Sequence, residues 1–428
     1  MNSLGSEIIS KSINILRKYP LCSRCLGRLF AKYGLGVSNV TRGNAIKTLA
    51  LMELHRLVMS DIKNLTLLKD VSDNVGIMPQ LVSKYSGVST SKHKCYICSS
   101  RIEDIIVELL DRVISEFSKF KVNTFVVSIR KGSEIEKREL ELISEFNLDS
   151  WESIRRELKR ELGKKVKSLL GIEPDFKHPE ALVSVDLDTL NVKVVTTPTY
   201  ILCRYVKLGR KSPQSGWVSN SEAGKPPLTI EEVLNPITKP FNAEEFEIHS
   251  LGKEDYDVRV LGNGRPTIVE LRKVKDKSVN LNEVGKSVLP NEYIRVLFDK
   301  YIERKNLRTI KSRKSLKIYR LLILSKNPLK VDDVEKLMNE FSDRIVRQRT
   351  PTRILRRRKD MEVTKKVYDV KVRLIDDYIL EMLIKCDGGL YVKELVHGDY
   401  GRTSPSFSEI LNSELIVLEV DLIHIFQT

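Results

Sequence analysis

The spacing of hydrophobic residues changes along the chain and predicts regions of different architecture. Through residue 115, apolar residues recur at intervals of three and four, as in SEIISKSINILRKY, which predicts mainly helices. Residues 121–195 then show a strand pattern at 124–132, a charged helix at 151–171 that ends on Gly171, and a hairpin at 181–195. These three segments together predict a small α/β unit.

The second half of the chain reads as strands with a few helices. The strand candidates, rich in β-branched residues, are 265–271, 319–325, 366–375 and 415–426. Residues 331–343 are typical of a helix. We predict two domains, 1–195 and 196–428, because 428 residues exceed what one core usually serves. The overall class is α+β, and the second domain should contain a mixed, mainly antiparallel sheet.

Composition adds a positive charge to this picture. Lys and Arg number 73 and Asp and Glu 57, a formal net charge of +16 that favours a polyanionic partner such as nucleic acid. No apolar run reaches the roughly 20 residues that span a bilayer. The N-terminus lacks the pattern of a signal peptide. We therefore expect a cytoplasmic protein with no membrane association.

Four of the six cysteines form two CxxC pairs, Cys22 with Cys25 and Cys95 with Cys98. Two thiolates at this spacing can bind one zinc ion, and a second pair completes a closed tetrahedral site. A redox dithiol is the alternative, but neither pair follows a strand in a thioredoxin-like βαβ pattern. We predict a structural Zn²⁺ with no position left open for catalysis.

Two basic runs are candidates for RNA contact. Residues 344–366 hold ten Lys or Arg and two acids, and residues 304–317 hold seven and no acid. Both fall between predicted ordered segments, so we interpret them as loops or exposed arms that engage phosphates. Few aromatics interrupt them, which favours recognition of a folded RNA over stacking on a single strand. The candidate ligands in these runs are Lys317, Arg349, Arg353, Arg356, Arg357 and Arg358.

A third basic segment spans residues 204–217 and has an aromatic near each end. Its candidate phosphate ligands are Arg204, Lys207, Arg210 and Lys211. Tyr205 and Trp217 could bind a splayed base or serve the fold, and the sequence favours neither.

An acidic loop, Glu254-Asp255-Tyr256-Asp257, lies between glycines and is followed by Arg259. A carboxylate in so basic a protein is a candidate catalyst, because its charge opposes RNA binding. Paired surface carboxylates are the alternative. Gly262 and Gly264 do not complete a dinucleotide-binding loop, and no P-loop is present.

Several motifs together resemble the archaeal and eukaryotic family of tRNA pseudouridine-54/55 synthases, in the family's order and over essentially the whole chain. They are the two CxxC pairs, RYVKLGRKSPQSGW, LGKEDYDVRVLGNGRP, KIYR, QRTPTRILRRR, KVYDV and GGLYVKELVHGDYGRTSPS. The resemblance implies a zinc-bearing accessory domain with a THUMP-like RNA-binding part, followed by a pseudouridine synthase catalytic domain. It also implies a monomer that acts on the TΨC arm of tRNA, at uridine 54, uridine 55 or both.

The resemblance also assigns site residues. Gly252-Lys253-Glu254-Asp255 matches the family's Gly-Arg-x-Asp loop, which implies that Asp255 is the catalyst, with Lys253 in place of the usual arginine. Tyr319, in Lys-x-Tyr, is implied to stack on the target base and to help the proton step. Lys393, in a Gly-x-Tyr-x-Lys strand, is implied to pair with the catalytic carboxylate. Lys253 and Arg259 complete the RNA-binding candidates, with Arg259 alternatively an ion-pair anchor of the loop.

The reaction fits these residues. Isomerisation breaks the glycosidic bond and rejoins the uracil through C5, with no net redox change, so no organic cofactor is expected. Asp255 can act as nucleophile or as base, and the sequence does not choose. A cation such as Lys393 keeps the carboxylate ionised. The target uridine must flip out at roughly a few kcal/mol, which stacking on Tyr319 would partly offset.

Two other functions compete with this one. A methyltransferase or thiolation enzyme with a THUMP-like module needs a glycine-rich cofactor loop or a P-loop, and the chain has neither. A non-catalytic tRNA-binding or folding factor would share the cysteines and the charge, but it would not need Asp255.

Overall fold

The computed structural model describes residues 4–77, 93–210, 212–214, 228–312 and 315–427. The chain divides into two compact units, residues 1–197 and 198–428. Lys211 and Trp217, two candidates from the third basic segment, lie outside the described residues. Among the described helices, none combines the length and the apolar character that a membrane span requires.

Helices dominate the first part of unit 1, as the three- and four-residue spacing predicted. They are α1 (Leu4–Lys18), α2 (Ser23–Leu29), α3 (Asn39–Ser60), α4 (Leu65–Val75) and α5 (Ile102–Phe117). Helices α2 and α3 touch through two glycines. A Cβ on Gly27 would lie 1.8 Å from the Asn39 carbonyl oxygen, and one on Gly43 would lie 1.8 Å from the Ser23 carbonyl oxygen. Only glycine permits this approach, which fixes the helix that begins just after Cys22.

The rest of unit 1 is the predicted α/β unit. It contains β1 (Thr124–Ile129), α6 (Glu134–Glu145), α7 (Ile154–Leu170), β2 (Glu173–Pro174), β3 (Ala181–Val185) and β4 (Val192–Thr196). The sheet order is β2-β1-β3-β4, with β1 parallel to both neighbours and β3 antiparallel to β4. Helix α7 ends at Gly171, which adopts a left-handed conformation with φ 68°, so the predicted helix end is confirmed.

A buried ion network ties the helical part of unit 1 to its α/β part. The Arg28 guanidinium on α2 is fully buried and donates from Nη2 to Glu139 Oε1 on α6 at 2.7 Å. Its Nη1 donates to Glu157 Oε2 on α7 at 3.4 Å. Glu139 also accepts from the Ile154 backbone N–H at 3.0 Å and so caps α7. Loss of one member would leave a buried charge unpaired, which costs about 3–5 kcal/mol.

Unit 2 is built on one large mixed sheet. Its described strands are β5 (Thr199–Lys207), β6 (Glu245–Ser250), β7 (Arg259–Arg272), β8 (Ile294–Ile302), β9 (Ser315–Ser325), β10 (Arg344–Arg349), β11 (Glu362–Asp376), β12 (Ile379–Asp387), β13 (Thr403–Ser404) and β14 (Leu415–Gln427). Their order is β13-β10-β11-β12-β9-β14-β7-β5-β8, with β6 paired to β7. The β14–β7 pair is parallel and the other described pairs are antiparallel. The predicted mixed, mainly antiparallel sheet is therefore confirmed.

Short helices pack around this sheet. They are α8 (Ile230–Leu234), α9 (Leu281–Ser287), α10 (Arg304–Ser312), α11 (Val331–Phe341), α12 (Val392–His397) and α13 (Phe407–Leu411). Helix α11, predicted from its periodicity, buries Val334, Leu337 and Phe341. Buried residues of sheet and helices form one core within unit 2.

The interpretation of the basic runs as loops or arms is wrong for residues 304–312 and 344–349, but it is confirmed for residues 350–361, which connect β10 to β11. Residues 304–312 form helix α10, which buries none of its residues. Residues 344–349 form β10, which pairs with β11 in the sheet. Val346 and Gln348 point into the protein while the arginines of β10 stay exposed. The charge run concealed this alternation, because the apolar face of β10 is only a few residues long.

The glycine contact between α2 and α3 predicts opposite effects for two alanine substitutions. Gly43→Ala should lower the free energy of unfolding by about 2–3 kcal/mol, because the new methyl group overlaps the Ser23 carbonyl. Gly163→Ala is the matched control on α7, where a Cβ meets nothing within 4 Å. It should raise stability by about 0.5–1 kcal/mol. Chemical denaturation followed by circular dichroism measures both, and equal effects of the two would contradict the contact.

Candidate active site and metal centre

An open cleft of about 1120 Å³ lies in unit 2. Its floor and walls come from the acidic loop, which we define as residues 251–258 between β6 and β7, and from β9. The turn after β10 (353–358) and the segment that leads into α12 (388–393) complete it. The three residues predicted to be catalytic, Asp255, Tyr319 and Lys393, all line this cleft.

The Asp255 carboxylate is held by two cations. Arg353 Nη1 donates to Asp255 Oδ1 at 2.8 Å, and Lys393 Nζ lies 3.4 Å from Asp255 Oδ2. The Asp255 side chain keeps 33% of its surface exposed, so it remains reachable from the cleft. The structure thus brings Asp255 and Lys393 together, but it makes Arg353 the closer partner.

The charge state of Asp255 follows from these contacts. Partial burial disfavours the ionised carboxylate, but the hydrogen bond and charge of Arg353, together with Lys393, outweigh it. The net effect lowers the pKa of Asp255 below its ordinary value. Asp255 is therefore ionised at neutral pH, as a nucleophile or a base must be.

Arg353 is itself fixed by a buried carboxylate. Its Nε donates to Glu394 Oε1 on α12 at 2.7 Å, and the Glu394 side chain is only 2% exposed. The other Glu394 oxygen, Oε2, has no hydrogen-bond partner among the described residues. Glu394 therefore aims Arg353 at Asp255 and is a positioning residue, since it touches the carboxylate only through the guanidinium.

Lys393 contacts a second carboxylate of the acidic loop. Its Nζ lies 2.9 and 2.8 Å from the two oxygens of Asp257, closer than to Asp255. The predicted strand around Lys393 is wrong, because Lys393 lies in the first turn of helix α12. The Gln348 side chain binds both the N–H and the C=O of Tyr391. The Tyr391 backbone thus pairs with one side chain instead of a neighbouring strand.

Buried groups beneath the acidic loop hold it in place. Glu254 is 3% exposed and lies 2.6 Å from Arg265 Nε. It also accepts from the Tyr205 hydroxyl at 2.7 Å and from Gln214 Nε2 at 2.9 Å. Gly252 adopts φ +92°, and a Cβ there would lie 2.9 Å from Arg265 Nη1. The loop therefore turns over a buried arginine.

Strand β9 presents two functional candidates on one face. Lys317 and Tyr319 alternate with more exposed neighbours, so both side chains point to the buried side of the strand at the cleft. Burial raises the pKa of the Tyr319 hydroxyl, which keeps it protonated. Burial lowers the pKa of Lys317 to about 8.

The predicted RNA-binding cations separate into exposed and internal groups. The exposed ones are Lys253, Arg349, Arg356, Arg357 and Arg358, of which Lys253, Arg357 and Arg358 line the cleft.

The internal ones form contacts within the protein. Arg204 pairs with Asp299 at 2.8 Å. Lys207 is fully buried and donates to the backbone oxygens of Ser212 and Tyr256 at 2.9 and 3.0 Å. Arg210 and Arg259 both bind the buried Asp421, at 2.7 and 2.6 Å.

The sequence missed the positioning groups. The side chains of Glu254 and Glu394 are 3% and 2% exposed, and Arg265 is a buried cation inside a strand. A charged residue in an apolar strand, such as Arg265 before Pro266 and Thr267, was the available signal. It marks either a surface position or a buried ion pair, and only the fold shows which.

The four CxxC cysteines meet in unit 1. All four sulfur atoms lie within 4.8 Å of one another, and Cys22 Sγ is 3.7 Å from Cys98 Sγ. Cys22 is the N-cap of α2, and its sulfur accepts from the Cys25 N–H at 3.4 Å. The second pair docks on the first through Tyr96 N–H, which donates to the Pro20 carbonyl at 2.8 Å.

This arrangement fits a metal ion. Four sulfurs at ~2.3 Å from one tetrahedral ion stand ~3.8 Å apart, close to the Cys22–Cys98 separation. Three of the four cysteines are buried, and Cys22 is partly exposed. A ligand set of sulfur alone favours a thiophilic ion and leaves no coordination position for a substrate. The group can therefore hold one structural metal.

Two protein-family models match this chain. The family model "Pus10, C-terminal" matches residues 200–425, and the model "Pus10 THUMP domain, archaeal" matches residues 109–186. The tRNA pseudouridine synthase Pus10 of Ignisphaera aggregans is 38% identical over 427 residues, which cover 98% of this chain and 99% of that protein. The Pus10 of Methanocaldococcus jannaschii is 33% identical over 439 residues, with 98% and 94% covered.

Solved structures give weaker likenesses. A chain in the crystal structure of a Cbf5-Nop10-Gar1 complex shares 19% identity at a TM-score of 0.29, covering 52% of this chain and 48% of that one. A crystal structure of pseudouridylate synthase shares 13% identity at a TM-score of 0.21, covering 55% and 67%. Scores this low carry no argument about function.

The cysteine cluster predicts that bound metal depends on each of its four thiolates. Cys98→Ala should lose the roughly one metal ion per chain expected of the native protein, because three sulfurs leave a tetrahedral ion open to water. Elemental analysis of the purified protein by mass spectrometry measures this. Cys203→Ala, a buried cysteine of unit 2, is the control and should keep the metal. Equal metal content in the native protein and the Cys98 variant would contradict the site.

Proposed function

The chain belongs to the Pus10 family of tRNA pseudouridine synthases, which are isomerases, and we propose that its target is uridine 54, uridine 55 or both in the TΨC loop of tRNA. The family and the reaction class predicted from the motifs are confirmed by the relatives. The observation that carries the proposal is the Asp255 carboxylate, which is ionised, partly exposed and held by Arg353 and Lys393 at the base of a cleft.

The reaction requires an anion at the position of the Asp255 carboxylate. The C1′–N1 bond of uridine breaks, the base turns, a C5–C1′ bond forms, and the proton on C5 moves to N1. An ionised Asp255 can attack C1′ as a nucleophile or remove a proton from the ribose, and its geometry serves both. Arg353 and Lys393 keep it ionised without blocking its exposed edge.

Tyr319 is proposed to contact the flipped uracil. It lines the cleft two residues from Lys317 on β9, and its hydroxyl is protonated. A base removed from its stack gains about 1–3 kcal/mol from an aromatic side chain. Tyr319 therefore supports a flipped nucleoside and does not itself take the C5 proton as a phenolate.

The exposed cations around the cleft are proposed to bind the tRNA backbone. Lys253, Arg357 and Arg358 line the cleft, and helix α10 brings further lysines and arginines to one exposed element beside it. Such contacts fix the position of the RNA without reading its sequence. They should make tRNA affinity strongly salt-dependent.

The remaining assignments are also proposals. The metal of the four-cysteine site is taken to be Zn²⁺ in a structural role, and no organic cofactor is required by the chemistry. Unit 1, with its THUMP-family segment, is taken to bind RNA, and unit 2 to carry catalysis. We expect a monomer that works in the cytoplasm.

Asp255→Asn should abolish pseudouridine formation on an unmodified tRNA transcript with no added cofactor. The amide carries no negative charge, so it can neither attack C1′ nor accept a proton. The rate of pseudouridine formation should therefore fall by roughly a thousandfold or more. Pseudouridine mapping measures the product, and transcripts with cytidine at position 54 or 55 identify the target. Asp332→Asn, an exposed carboxylate in the first turn of α11, is the control and should act like the native protein.

The alternative function gives a different result in that experiment. Tight tRNA binding by the native protein and by the Asp255 variant, with no pseudouridine from either, would assign a tRNA-binding or folding factor.

In the profile of pseudouridine formation rate against pH, Arg353→Met should move the acid limb to higher pH. The folded pKa of Asp255 is depressed, so the ionised form is lost as pH falls through that value. Loss of the nearest cation raises the pKa by about 1–3 units, and activity then disappears at a higher pH. Arg349→Met removes a charge from neighbouring β10 without contact to Asp255 and should leave the limb in place. Identical limbs in native enzyme and the Arg353 variant would show that Arg353 does not set the charge of Asp255.

A further inference from the structure

Lys317 is a buried cation whose ammonium has no hydrogen-bond or ion-pair partner among the described residues. It keeps 7% of its surface and lines the cleft. Within the described parts of the chain, no residue gives its Nζ a hydrogen bond or an ion pair. An ammonium removed from water without a partner is costly, and that cost is recovered only when an anionic or strongly polar group binds beside it.

The surroundings of Lys317 carry excess positive charge. The groups that face it are Arg265 on β7, Glu254 in the acidic loop, Cys386 on β12 and Lys365 on β11. Glu254 is already paired with Arg265 at 2.6 Å. Burial, aided by Arg265, lowers the pKa of Lys317 to about 8, which leaves the ammonium charged near neutral pH.

The two sides of the site are therefore charged in opposite senses. On the Asp255 side, the carboxylates of Asp255, Asp257 and Glu394 outnumber the two cations Arg353 and Lys393. Beneath the loop, Arg265 and Lys317 outnumber Glu254. Breaking the C1′–N1 bond separates charge in a matching way, because the sugar carbon becomes electron-poor and the uracil leaves with the electron pair.

We propose that Lys317 is a catalytic residue that stabilises the detached uracil anion by donating a hydrogen bond from Nζ to one of its exocyclic oxygens. This inference rests on the proposed function. The electron pair of the C1′–N1 bond goes to the uracil ring and returns in the C5–C1′ bond. The proton moves from C5 to N1, and Lys317 ends the cycle with the protons it began with. Fixed donors at a developing anion are a large source of rate enhancement.

The first test compares Lys317→Met with Lys286→Met. Methionine fills a similar volume without charge, and Lys286 is an exposed lysine on helix α9 that does not line the cleft. Single-turnover rates are measured at saturating tRNA, beside the tRNA dissociation constant and the unfolding temperature. Lys317→Met should lower the rate by about 100- to 1000-fold, with binding nearly unchanged. Its unfolding temperature should not fall, because an unpaired buried charge is removed.

The control variant should behave differently. Lys286→Met should leave the tRNA dissociation constant and the rate at saturation near those of the native enzyme. Lys317→Arg, which keeps a cation, should retain more activity than Lys317→Met.

A second test uses the leaving group. Fluorine at C5 withdraws electrons and stabilises the uracil anion, so that the anion depends less on an external cation. With 5-fluorouridine at the target position, the penalty of Lys317→Met, measured as consumption of the starting nucleoside, should shrink at least tenfold relative to uridine. A role in folding or in phosphate binding would leave the penalty unchanged.

The outcomes separate the two proposals. No pseudouridine from the native enzyme would overturn the proposed function itself. Pseudouridine from both the native and the Lys317→Met enzymes at rates within threefold would overturn only the role of Lys317. A weaker dissociation constant with an unchanged saturated rate would also overturn it, as would an equal penalty for uridine and 5-fluorouridine. If the methionine variant does not fold, Lys317→Arg with the two substrates decides, and equal penalties for both overturn the role.

Discussion

The ion pair between Asp255 and Arg353, 2.8 Å long, is the constraint on which the site depends. A protein with a net charge of +16 attracts RNA, yet the proposed reaction needs a carboxylate at the place where the RNA would bind. A carboxylate without an ion-pair partner would repel phosphate, and cations without a carboxylate partner would bind phosphate instead. In the structure, Arg353 and Lys393 already form ion pairs with Asp255, and Glu394 already forms an ion pair with Arg353. The charges at the proposed reacting centre are thereby preorganised, and the cations proposed to bind phosphate lie on exposed elements.

The same requirement explains why many basic residues face inward. The acidic loop has no strand partner of its own, so its backbone and side chains need other contacts. Lys207 binds the Tyr256 carbonyl, Arg210 binds the Asp257 carbonyl, and Arg265 pairs with Glu254. Arg259 joins Arg210 on the buried Asp421 and so anchors the start of β7. A basic segment next to the loop therefore serves the position of the carboxylate as much as any RNA contact.

Sequence reasoning succeeded where a period or a spacing carries the information. Apolar periodicity located the strands and helices of both units, and the CxxC spacing located the four sulfurs that meet in unit 1. Sequence reasoning failed to predict β10 and α10, because charged residues outnumber the apolar residues whose spacing would have identified a strand or a helix. It placed Lys393 in a strand, because the sequence does not reveal that Gln348 replaces a strand partner for Tyr391. The contact of Arg353 with Asp255 joins residues 98 positions apart, and no local pattern encodes a contact of that range.

Burial divides one basic run into two physical roles. Residues 304–317 read in sequence as seven equivalent cations, but Lys311 is exposed on α10 and Lys317 is buried on β9. An exposed ammonium exchanges water for phosphate at little cost, and salt screens it, so it contributes mainly affinity. A buried ammonium acts at short range in a medium of low polarity, so it contributes only when charge develops next to it. Because only two residues separate α10 from β9 in the sequence, one short segment carries both the exposed cations proposed to bind the tRNA backbone and the buried ammonium proposed to stabilise the detached uracil.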